Sequence, residues 1–114
     1  MNIPIIIESN KFLNRISLFM KVGGITLYPM IIIREGRRTS KLINHESIHI
    51  VQQKELLLIF FYIIYIAELL IGAVKYGSFK ESYMNISFEK EAYANELNLN
   101  YLKSRKPYSF LKYF

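Results

Sequence analysis

The sequence predicts an α+β fold, a small sheet followed by helices, in a single domain spanning residues 1–114. Three observations predict it. β-Branched and aromatic residues gather early, at 3–7 and 24–33; an apolar run long enough for five helical turns fills 56–74; and polar segments with helical spacing flank that run. A chain of 114 residues can bury about two-thirds of its unfolded surface around one core.

The first two apolar stretches read as strands, the second ending at Glu35-Gly36. Pro29 has no amide hydrogen to give to a ladder, which makes the second strand an edge or places a bulge in it. Residues 10–21 suit a short helix with Phe12, Ile16, Phe19 and Met20 on one side. Thr39 or Ser40 can cap a helix beginning near Lys41. At about 100° per residue, that helix has Leu42, His45, Glu46, His49, Gln52, Gln53 and Leu56 on one side and Asn44, Ser47 and Lys54 opposite. Residues 56–74 are long enough to cross a bilayer, broken only by Glu68. A span would put the later acidic segment across the membrane from the histidines. The run is therefore expected to turn back, either as a buried helix beside the preceding one or as a hairpin resting on a membrane surface. Asn85 or Ser87 can cap a last helix over 88–103.

Composition removes several classes of function. Without cysteine there is neither a disulfide framework nor a thiolate cluster, so a bound metal would need histidine and carboxylate. All nine acids are glutamate. The net charge of +6 comes from scattered basic residues apart from Arg34, Arg37, Arg38, Lys41 and the C-terminal tail, a distribution that argues against nucleic-acid binding. The N-terminus lacks the basic start and cleavage site of a secretory signal, which points to the cytoplasm.

His45-Glu46-Ser47-Ile48-His49 holds both histidines of the chain. On a helix, positions i and i+4 share a face, so the two imidazoles can address one ion while Glu46 reaches water bound there. A zinc site of two histidines and one acid needs a carboxylate, and Phe88-Glu89-Lys90-Glu91-Ala92 and Glu96 supply candidates. On a helical wheel Glu89 falls among Phe88, Ala92, Tyr93 and Leu97, and Glu91 beside Asn95 and Asn98. Glu89 is thus expected in the core and Glu91 in water. Glu96, two turns along from Glu89, can accept from a ligating histidine; Asn44, Gln52 and Gln53 are further candidates for that outer layer.

HExxH on one helix and Glu-x-x-Ala on a later one, here Glu89-Lys90-Glu91-Ala92, resemble the gluzincin branch of zinc metallopeptidases. The chain also resembles small bacterial HExxH proteins whose motif runs into a glutamine pair, as in His49-Ile50-Val51-Gln52-Gln53. The resemblance implies a minimal zincin-like domain with an edge strand over the motif helix and the third ligand on the C-terminal helix. It implies Zn2+ held by His45, His49 and Glu89, Glu46 as general base, and a peptide or protein substrate laid along the strand at 25–33. Where the family often has an aspartate four residues after the ligand glutamate, this chain has Tyr93. Tyr93, Tyr83, Tyr28 and Arg34 are open candidates for stabilising an oxyanion. A rival reading is a non-catalytic metal-binding module attached to a membrane or partner through 56–74. The tail would assist, where Lys103, Arg105, Lys106 and Lys112 alternate with aromatic residues.

Overall fold

The computed structural model describes residues 5–8, 24–28, 30–33, 36 and 39–114. The helix expected at 10–21, Pro29 and Arg34 lie outside the described residues. The fold is α+β and mostly helical. Strands β1 (Ile5–Glu8), β2 (Gly24–Leu27) and β3 (Met30–Ile33) form one sheet in the order β1–β3–β2, with β1 parallel and β2 antiparallel to β3. The single strand expected over 24–33 is instead a hairpin, Leu27 pairing with Met30. A proline cannot donate to a ladder, and the run breaks at the connection that contains it. The central strand supplies Ile31 and Ile33 to a first core, completed by Ile50 with Ile6, Leu42 and Ile43 against it.

Helix α1 (Ser40–Glu55) begins as the sequence suggests. Thr39 is the cap, its hydroxyl accepting from the Leu42 amide at 3.1 Å. Both sides of α1 are covered: Asn44 and Ser47, expected to face outward, are buried along with the histidine face. Leu57 and Leu58 then turn the chain with φ of 55° and 65°. That backbone conformation costs a non-glycine residue on the order of 1 kcal/mol.

Helix α2 (Ile59–Tyr76) turns back beside α1, and of the two arrangements expected for 56–74 it is not the buried one. Among its residues only Phe61 and Gly72 are buried. Helix α3 (Phe79–Met84), capped by Ser78, lies against it so closely at Gly72 that an added Cβ would overlap Ser82. Helix α4 (Ser87–Asn95) has no cap of its own. Its first amide and the Ser87 hydroxyl donate instead to Glu68 of α2, at 2.9 and 2.7 Å. The only charge in the apolar run is therefore the anion at a helix N-terminus.

The helix expected over 88–103 stops early. The carbonyls of Asn95, Glu96 and Asn98 all accept from the Asn44 amide, and the chain turns before α5 (Tyr101–Ser104). A final 3-10 turn, Ser109–Tyr113, places Phe110 in a second core with Phe61, Ile86 and Phe88. The side chain of Arg105 is buried as well, so Arg105 and Phe110 close the fold, while Lys103, Lys106, Lys112 and Phe114 stay exposed. The gap between the two cores, where α1 faces α4, is occupied by polar side chains.

Candidate metal centre

Two turns of α1 bring His45 and His49 to the same side, and the first turn of α4 brings Glu89 opposite them. His45 Nε2 and His49 Nε2 are 3.3 Å apart and lie 3.1 and 2.9 Å from Glu89 Oε1. All three side chains are buried, and their ligand atoms form the one group of this kind among the described residues. Tetrahedral bonds of about 2.05 Å place neighbouring donor atoms about 3.3 Å apart, so the triangle is sized for a metal ion with little adjustment.

Hydrogen bonding behind the site decides which ring nitrogens carry protons. His45 Nδ1 is 2.7 Å from Glu96 Oε2, a carboxylate that can only accept when ionised, so Nδ1 donates. His49 Nδ1 is 2.7 Å from Gln52 Oε1. The Gln52 amide cannot be reversed, because its Nε2 donates to the Phe88 carbonyl at 3.2 Å and to Glu91 Oε1 at 2.9 Å. Each neutral imidazole is therefore protonated at Nδ1 and turns the lone pair of Nε2 towards Glu89 Oε1. Three acceptors then converge with no proton of their own between them, and the cluster demands a positive charge at its centre.

The electrostatics agree. Burial disfavours the imidazolium of His49, but the Glu89 carboxylate outweighs it and raises the pKa to about 9. Burial likewise works to raise the pKa of Glu89, and His49 and His45 reverse it to well below the usual carboxylate range. Without a metal, a proton on His49 supplies the missing charge.

Glu46 stands beside this triangle. Burial raises its pKa against the opposing pull of His49 and His45, the direction a general base needs. Its Oε2 accepts from the Thr26 hydroxyl of β2 at 2.6 Å, tying the acid to the sheet. Gln53, one residue beyond Gln52, grips the same strand: its Nε2 donates to Thr26 O and its Oε1 accepts from the Tyr28 amide, both at 2.9 Å. A carboxamide here occupies the strand edge as a neighbouring strand would. Those two backbone groups are thus closed to the peptide expected along 25–33.

The structure places the other expected residues as follows. Glu96 accepts from one of the two motif histidines, His45, as expected from the sequence, and Lys41 Nζ lies 3.4 Å from its other oxygen. Of the three amides, only Gln52 touches the site; Asn44 closes the end of α4. Tyr93 packs its ring on His45, with centroids 4.5 Å apart, and its hydroxyl is 3.0 Å from that of Tyr83. Tyr83 in turn donates to Glu89 Oε1 at 3.2 Å. Tyr28 meets Gln53.

Glu91 is the clearest departure, being fully buried where exposure was expected. Burial would raise its pKa, but Arg105, Tyr101 and Gln52 outweigh this and lower it. Arg105 Nε is 2.5 Å from Glu91 Oε2, and its other nitrogens hold both oxygens of Glu55 at 2.9 and 3.0 Å. The wheel left this face in water because it assumed a continuous helix; the chain folds back and covers it. Sequence reading also missed Tyr65, whose hydroxyl donates to Glu89 Oε2 at 2.7 Å. The available signal was spacing: Phe61, Tyr65, Glu68 and Gly72 recur on one face of an otherwise aliphatic run.

No known family model matches the chain, and neither does any curated protein or solved structure.

Proposed function

We propose that the protein is a zinc-dependent metallopeptidase of gluzincin type, with His45, His49 and Glu89 as ligands and Glu46 as general base. The observation that carries this reading is the convergence of three lone-pair donors, two of them fixed in tautomer from behind, next to a buried glutamate with a raised pKa. Two imidazoles and a carboxylate without sulfur form a donor set that zinc accepts with a fourth position left for water.

When bound, zinc supplies Lewis acidity, acidifying water and polarising a carbonyl. The protein's own residues do the rest. Glu46 takes the proton from the attacking water and passes it to the departing amine, a transfer favoured by its burial. Thr26 holds that carboxylate in one orientation. Tyr65 binds the outer oxygen of Glu89 and Tyr83 the oxygen that faces the histidines, so its position does not depend on the ion alone.

The burial of His45, His49 and Glu89 also favours a second reading, a metal site that serves only the fold. Glu46→Gln separates the two. Under the peptidase reading the variant retains about one zinc per chain by elemental mass spectrometry and loses about a hundredfold or more in hydrolysis of a protein substrate such as casein. Equal activity in parent and variant refutes the assignment of Glu46. Glu89→Ala run alongside should lose the zinc.

A further inference from the structure

Nine residues make one uninterrupted outer stripe on and before α2: Leu57, Ile59, Phe60, Ile63, Ile66, Ala67, Leu70, Ile71 and Val74. All are exposed, Val74 to 87% and Leu57 to 73%, and none has a side chain that can form a hydrogen bond. At about 100° per residue the helical members fall within an arc of about 140°, and the eighteen-residue helix makes the stripe about 27 Å long. Contiguous apolar surface of this extent marks an interaction site.

We propose that this stripe is a lipid-contacting surface, on which α2 lies in the plane of an anionic membrane interface. Its chemistry selects lipid over protein. Protein interfaces carry about one hydrogen bond per 100–200 Å², and these nine side chains offer none. A second copy would bring the same +6 charge against it. Charge around the stripe favours an anionic surface: from residue 54 to 84 the exposed charged residues are Lys54, Lys75 and Lys80 against a single acid, Glu81. An aliphatic face in a segment whose exposed charges are mostly basic is the pattern of interfacial helices.

The opposite face excludes a span. Tyr65 donates to Glu89 and Glu68 accepts from the start of α4, so crossing a bilayer would pull both bonds apart and leave Glu68 in hydrocarbon. With Tyr65 touching Glu89, the metal centre stands about one helix diameter from the lipid. The surface assignment is independent of whether the site hydrolyses peptides.

The test is co-sedimentation of the whole chain with phosphatidylcholine vesicles, with and without about one-third phosphatidylglycerol, beside the double variant I63E/L70E. Both positions lie on the exposed face, so circular dichroism and zinc content should stay at parental values. The parent should pellet with the anionic vesicles at least about tenfold more than the variant, should bind less at high salt, and should be released by alkaline carbonate. Equal pelleting of parent and variant, or none with either vesicle, overturns the proposal. Resistance to carbonate overturns it in favour of a span. A vesicle-free dimer that the double variant dissolves overturns it in favour of a second copy.

Discussion

Helices α1 and α2 are neighbours in sequence, and their burial runs against their composition. Nine of the sixteen residues of α1 are buried, seven of them polar: Asn44, His45, Glu46, Ser47, His49, Gln52 and Gln53. Of the eighteen residues of α2, almost all apolar, two are buried. The difference teaches that here the interior is selected by hydrogen-bond partners. A buried polar group is costly unless it is paired, and each buried polar side chain on the site face of α1 has its partner on β2, on α4 or at Glu96 just beyond it. The residues of α2 need no partners, and those that the interior does use, Phe61, Tyr65, Glu68 and Gly72, occupy one narrow face. Removing a partner should therefore harm α1 far more than removing carbon harms α2.

Arg105→Met should break the comparison most severely. It leaves Glu55 and Glu91 partly or wholly buried without their cation, a loss of about 3–5 kcal/mol by urea denaturation. A loss under 1 kcal/mol would mean that the α1 network tolerates gaps, and the contrast with α2 would weaken. Gln52→Leu comes next. It keeps the volume, frees the tautomer of His49, and should reduce zinc affinity by about 10–100-fold in competition with a chromophoric chelator. An unchanged affinity would show that the imidazole is oriented by other means.

The metal-free protein sharpens the point through pH. The folded pKa of His49, about 9, lies above its ordinary 6.5, so its stabilisation is complete below pH 6.5 and is lost as pH rises through 9. Glu89 has the opposite sign: its lowered pKa stabilises above about pH 4.5, and that contribution is lost on acidification. The thermal midpoint of chelator-treated protein should fall between pH 6.5 and 9.5. With zinc in place of the proton, that fall should disappear. The smallest effect belongs to α2. Ile66→Ser, on the exposed stripe, should change stability by no more than about 0.5 kcal/mol in the absence of vesicles.

The sequence by itself determined the helix of α1 and the start of α4, a cap at Thr39 or Ser40, the inward direction of both histidines and of Glu89, and Glu96 as an acceptor for one of those histidines. These follow from helical periodicity and from the small number of carboxylates, which are local or compositional facts. It left Glu91 in water, the strand at 24–33 in one piece, the last helix running on to 103, and 56–74 open between the interior and a membrane surface. Those shortfalls share one cause. A wheel or a hydropathy run gives the direction of a side chain, whereas burial depends on what another segment lays over it. Only the tertiary structure decided that Arg105 returns to cover Glu91, that Glu68 caps α4, that Gln53 takes the edge of β2, and that nothing among the described residues covers the outer face of α2. The first three join positions 14 to 25 residues apart, a separation that local periodicity does not encode.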